Sequence, residues 1–235
     1  MAVPLITTII TTEAMQTTAQ LRLWQLISPA LPVGAYAYSQ GLETAIEEAW
    51  VHDEQSTLNW LTGILQHSLL RVDVPVLSRL YQAWQDGALD TVQAWNARLL
   101  AMRESAELRE EDRQMGQSLA RLLNDLGFER ALFNKPACSF LSLFSLAAVT
   151  WQIPLRDTAS GFLWSWCENQ VAAAIKLVPL GQTAGQRILG QMIGFIDNGL
   201  EQGLQLKDDE IGSVLPGLAM ASAWHESQYS RLFRS

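Results

Sequence analysis

Charge is scarce in this sequence, and lysine, histidine and cysteine are scarcer still. Asp, Glu, Lys and Arg make up 17% of the 235 residues while 49% are hydrophobic, against a usual charged share of about a quarter. That composition excludes a disordered or collagen-like chain, and so few charges suit a surface that partners cover. None of the three lysines, Lys135, Lys176 and Lys207, follows a glycine. A phosphate-cradling loop needs Gly-Lys-Ser/Thr, so GTP or ATP binding by a P-loop is excluded. His52, His67 and His225 lie far apart, and no His-x-x-x-His or Glu-x-x-His pair sets two metal ligands on one helical face. Cys138 and Cys167 are not in a Cys-x-x-Cys pair, which argues against a zinc site or disulfide framework and for a reducing, cytoplasmic compartment. With 16 basic against 24 acidic residues, a net charge of -8 and no basic cluster, nucleic acid is an unsuitable partner. A Ser39–His67 pair has no nucleophile-elbow motif behind it. Enzyme signatures are therefore mostly absent, and the chain itself is expected to bind neither metal nor cofactor.

Two apolar stretches invite a membrane reading. The first twenty residues lack the Lys/Arg of a secretory signal and break their apolar run with threonines and Glu13; they read as a flexible N-terminal tail, 1–20. Residues 136–155 carry no charge, but Pro154 shortens the stretch and serines dilute it. About 16 residues at ~1.5 Å rise give ~24 Å, short of a ~30 Å hydrocarbon core. A buried central helix is expected there instead, and no membrane contact.

Helical periodicity runs through the rest. Leu58, Leu61, Leu65, Leu69 and Val72 recur at three and four residues, as do Met115, Leu119, Leu122, Leu123 and Leu126, and Ile188, Leu189, Met192, Ile193, Ile196 and Leu200. Asp53, Asp90, Asp157 and Asp208 stand where N-caps belong, and Pro75 is expected to kink or divide the helix beginning near Asp53. With no linker and no repeat, the reading is an all-α, single-domain helical bundle of roughly eight to ten helices. Its limits are set at 21–224, followed by a binding tail, 225–235.

Four segments depart from plain helix. In 28–43, Pro29, Pro32 and Gly34 fix a non-helical path that carries Tyr36, Tyr38, Ser39 and Glu43; it reads equally as a rigid connection and as an interface loop. In 103–113 the pairs Arg103–Glu107, Arg109–Asp112 and Glu110–Arg113 have helical spacing and predict a solvated face. Lys176 stands at the end of an apolar helix, either complementing its dipole or facing a partner. Beyond it, Gly185 and Gly199 project to one side of a continuous helix, and Gly190 and Gly194 to the other. Each interior glycine costs roughly 0.8–1 kcal/mol, so close backbone approach is expected, either within one subunit or against a second copy. The fourth segment interleaves Tyr229, Arg231, Phe233 and Arg234 after His225, a composition suited to an interface.

These residues also carry a family resemblance. Residues 28–43 resemble the SPxLPVGxFxYSxGLE signature of the UreF family of urease accessory proteins. Glu107-Leu108-Arg109, Gly116, Lys176-Leu177-x-Pro179-Leu180-Gly181-Gln182 and residues 229–235 match its later signatures in order. Ala35, Tyr36 and Ala37 are small departures. The resemblance covers about residues 21–235. It implies a non-enzymatic chaperone that forms a homodimer, binds the accessory protein UreD or UreH, recruits the GTPase UreG and so inserts nickel into apo-urease. Nickel and GTP would be handled by the partners. On that basis Tyr36, Tyr38, Ser39, Glu43, Glu107, Arg109, Lys176, Tyr229, Arg231, Phe233 and Arg234 are expected at partner surfaces, and Gly185, Gly190, Gly194 and Gly199 at the dimer contact. Lys176 and the region of Arg109 are expected to influence GTP hydrolysis. The competing reading is a helical ligand-binding or enzymatic domain whose pocket uses Tyr36, Tyr38 and Ser39.

Overall fold

Side-chain caps begin several helices where the sequence turns from polar to periodic. Asp53 accepts from the Ser56 N–H at 2.7 Å while the Ser56 hydroxyl accepts from the Asp53 N–H at 3.0 Å, a reciprocal capping box. Ser105 caps Leu108 N–H at 3.0 Å and Ser139 caps Ser142 N–H at 3.2 Å. The computed structural model describes residues 16–129 and 138–235, which are helical without a strand. In order they form α1 (16–26), a 3-10 turn (Ala35–Ala37), α2 (Leu42–Glu47), α3 (Glu54–Ile64), a π segment (Leu65–Asp73), α4 (Val74–Gln85), α5 (Leu89–Ala101), α6 (Ala106–Asp125), α7 (Phe140–Thr150), α8 (Leu155–Leu177), α9 (Gln182–Gln205) and α10 (Pro216–His225).

The centre is α4 and α7. Val74, Val76, Leu77 and Leu80 of α4 are buried, and α7 packs on both α4 and α6. Both are anchored by polar groups whose burial demands partners: Tyr81 Oη donates to Ile153 O at 2.8 Å and Trp84 Nε1 to Ser142 O at 2.9 Å. The uncharged stretch 136–155 therefore contributes a helix of 11 residues to the interior. Among the described residues no helix is long and apolar enough to cross a membrane.

Pro75 stands where the run changes from π to α geometry, which accommodates it without breaking the helix. It stands at the second position of α4, directly after the π segment, where Val74 N–H bonds to Leu69 O five residues back. Proline has no N–H to offer Arg71 O; that oxygen instead accepts from Gly212 N–H at 3.3 Å. The wider turn lets the chain continue from α3 into α4 without a break.

Several expectations need correction. Asp90 and Asp157 lie in the first turns of α5 and α8, behind Ala88 and Pro154 as N-caps, positions where a carboxylate meets the helix dipole without capping. Asp208 starts no helix and pairs with Arg79 at 3.0 Å. Residues 16–20 belong to α1, with Ala19 buried, so the N-terminal boundary at 20 is too late; 1–15 lie outside the described residues. At the other end, His225 closes α10 and is fully buried, so the terminal segment starts at 226.

The glycines of α9 divide by face. A Cβ on Gly185 would meet Ile175 and Val171 of α8, and one on Gly199 would meet Leu70 of the π segment. Those two are spent on packing within the subunit, which corrects their assignment to a dimer contact. Gly190 and Gly194 have open space, with Ile193 between them 53% exposed.

Candidate functional site

The charge run 103–113 is the first place where sequence spacing misleads. Arg103 lies in the turn before α6, not on it, so helical neighbour rules do not govern it. Its guanidinium forks between Asp73 at 2.8 Å and Asp112 at 2.7 Å, both carboxylates buried. Asp112 also accepts from Phe140 N–H at 2.7 Å, which fixes the start of α7. Burial pushes Asp73 upward against the pull of Arg103. Desolvation pulls Arg103 down, but its two carboxylates outweigh this and hold it well above the ordinary arginine value. Of the three expected pairs, Glu110–Arg113 forms, at 3.9 Å.

Next to this network the two unusual ends of the sequence meet. Glu43, on the buried face of α2, accepts from Leu232 N–H at 2.7 Å and Phe233 N–H at 2.9 Å. Ser39 holds the main-chain oxygen of Ser235 through its N–H at 2.7 Å and its Oγ at 2.5 Å, and Gln40 N–H adds a third donor at 3.0 Å. Arg234 N–H donates to Ala37 O at 2.8 Å. Ser235 Oγ donates to Glu111 Oε2 at 2.6 Å, and Gln40 Nε2 to Glu111 Oε1 at 2.7 Å. Burial raises Glu111 to about 7, partly opposed by those two donors. Segment 226–235 is therefore hydrogen-bonded into the fold, with Phe233 and Ser235 buried. Phe233 enters a small apolar cluster with Leu42, Val51, Ala174 and Val178, and Lys176 Nζ lies 5.6 Å from its ring centroid.

His225, which the sequence places only at the start of the tail, pins this face. Its Nδ1 lies 3.0 Å from Glu107 and its Nε2 3.3 Å from Glu43, and Glu107 also accepts from Arg231 at 3.2 Å. The partners stand 118 and 182 residues away in sequence, so no local spacing could reveal them. Gln40, Glu111 and Ser235 escaped for the same reason.

The structure thus brings Ser39, Glu43, Glu107, Lys176, Arg231, Phe233 and Arg234 together. Tyr38 is buried beside them, its hydroxyl 2.9 Å from Gln114 Oε1; burial raises it, with Arg234 as the chief opposing contact. Tyr36, Tyr229 and Leu232 project outward, being 66%, 105% and 67% exposed. Arg109 is half-buried on α6 and makes no side-chain hydrogen bond or ion pair among the described residues. This is a rigid, hydrogen-bonded base carrying aromatic and arginine side chains, chemistry suited to recognition. Among the described residues no group of three or more His, Cys, Asp or Glu is arranged to hold a metal ion.

Residues 51–193 match the UreF family. The urease accessory protein UreF of Alkalilimnicola ehrlichii is 53% identical over 226 residues, covering 95% of this chain and 99% of that protein. UreF of Teredinibacter turnerae is 51% identical over 218 residues, 92% and 98% of the two chains. UreF of Hahella chejuensis is 48% identical over 219 residues, 92% and 98%. With matches of this identity along nearly its whole length, the chain belongs to the UreF family of urease accessory proteins.

Proposed function

We propose that this chain is a non-enzymatic scaffold of urease maturation in the cytoplasm, linking a UreD/UreH-type accessory protein to the GTPase UreG so that nickel reaches apo-urease. One observation carries the reading: residues 28–43 and 226–235 are stitched through Glu43, Ser39 and Glu111 into one preformed face that leaves Tyr36, Tyr229 and Leu232 outside. Preorganisation lowers the entropy lost on binding, and tyrosine supplies large contact area with few rotatable bonds. Nickel is cargo in this scheme and GTP belongs to the partner; the chain acts by geometry, and Lys176 beside Phe233 is the group through which the face modulates hydrolysis. A second copy docks on the open face of α9 at Gly190, Ile193 and Gly194.

The test is co-purification of the full chain with UreD/UreH-type and UreG-type partners. Tyr36→Ala, Tyr229→Ala and Arg234→Ala are each expected to weaken capture about tenfold or more, since truncating an interface anchor costs roughly 1.4 kcal/mol upward. Undiminished capture and urease activation by the triple variant would remove this face from the assembly.

A further inference from the structure

Beneath the face lies a cavity of about 110 Å³, bounded by the loop before α2, the π segment, α6, α8 and the first residues of α7. Pro29 and Tyr36 in its lining are exposed. Its wall is of two kinds. Leu69, Met115, Phe140 and Phe162 make one part apolar. The other holds four carboxylates, Asp73, Glu104, Glu111 and Asp112, against one cation, Arg103. Arg103 is committed to Asp73 and Asp112. Glu111 and Glu104 receive only neutral donors, Gln40 and Ser235 for the first, Ser68 and Ser213 for the second.

One further wall atom lacks any partner. Gln170, 1% exposed on α8, presents a buried Oε1 with no hydrogen bond. Gln170 stands one turn from Trp166, whose Nε1 donates to Gln40 Oε1 at 2.7 Å and so joins the Gln40–Glu111 pair. A buried acceptor without a donor is costly, and so is excess buried negative charge without a counter-charge, which Glu111 relieves only by holding a proton up to about 7. Both deficits are met by one group, a cation that carries several N–H donors. A hydrated inorganic ion would leave the apolar wall facing water, whereas an alkyl stem covers it. For size, an engineered cavity of ~150 Å³ holds benzene, so a short chain of a few carbons fits here.

We propose that this cavity is a binding site for a primary alkylammonium group, its head on Gln170 Oε1 and the carboxylates and its stem along Leu69, Met115 and Phe162. The same chemistry is offered by a free small amine and by a lysine side chain of a docked protein.

The probe is n-butylammonium chloride, titrated into the full chain and followed by NMR of the Trp166 indole N–H and the Gln40 side-chain amide. Neutral 1-butanol of similar shape and magnesium chloride at matched ionic strength are the controls. Saturable binding at least about tenfold tighter than 1-butanol is expected. Gln170→Leu removes the acceptor at similar volume; it is expected to weaken butylammonium about tenfold or more, leave 1-butanol unchanged and melt no lower than the parent. Glu111→Gln is expected to weaken butylammonium as well. Repeating capture of the partner proteins under saturating butylammonium identifies the source: competition assigns the site to a partner's lysine, and unchanged capture assigns it to a free amine. Butylammonium binding no tighter than 1-butanol, equal binding by Gln170→Leu, or displacement by magnesium would overturn the proposal in favour of a water-filled or inorganic-ion cavity.

Discussion

Replacing Phe233 by alanine tests whether residues 226–235 are structural. The ring is 6% exposed and packs against α2 and the end of α8. Core Phe→Ala changes cost about 3–5 kcal/mol, and loss of the Lys176 contact is worth about 0.5–1 kcal/mol within that. Because the segment can shift to close part of the gap, the lower figure applies, about 3 kcal/mol. For chains of this size each kcal/mol moves Tm by about 2–4 °C, so a fall of roughly 6–12 °C is expected in circular dichroism melts of the full chain. Tyr229→Ala and Leu232→Ala serve as controls from the same segment: both side chains are exposed, and each is expected to stay within about 0.5 kcal/mol of the parent. If Phe233→Ala melts with those controls, the ring does not belong to the cooperative unit and the stitched face is not preformed.

Other expectations follow from the buried charges and the open helix face. Arg103→Leu leaves Asp73 and Asp112 buried without a counter-charge and is expected to cost about 3–5 kcal/mol; a melt within about 2 °C of the parent would refute the fork. Glu111, raised by burial from 4.5 to about 7, keeps its proton longer in the folded than in the unfolded chain. Stability relative to Glu111→Gln therefore falls by of the order of 3 kcal/mol as pH rises from about 4.5 to 7 and is level above that, and denaturant midpoints that run parallel for the two proteins would contradict it. Gly194→Glu, placed in open space, is expected to turn a dimer into a monomer in sedimentation without lowering Tm; a monomeric parent would remove the contact.

The helices were legible because burial repeats locally: Leu58 to Val72 mark an inner face by spacing alone, and so do Ile188 to Leu200 apart from Ile193, which is exposed. Asp53 was legible as a cap for the same reason. The site was legible in membership and not in arrangement. Tyr36, Ser39, Glu43, Lys176 and Phe233 stood out by composition, but Ser39 and the Ser235 oxygen are 196 residues apart and Arg103 and Asp73 are 30 apart. Only the fold makes them neighbours. Arg103 misled because its run resembles a helix while the residue precedes the Ser105 cap, and the anchoring of the arginine-rich end was not legible because interface composition and anchored composition look alike until Glu43 is seen beneath it.

The stitching has a consequence for synthesis. Glu43 is made early and buried on α2, yet its two N–H donors come from Leu232 and Phe233, and the three donors at Ser39 and Gln40 wait for Ser235. At ~5–20 residues per second, the 196 residues between Ser39 and Ser235 take about 10 to 40 s to translate. Through that interval the loop and α2 lack their last partners, so the face becomes competent only when residue 235 has emerged. A copy cut short of Leu232 would leave the Glu43 carboxylate buried without these two donors.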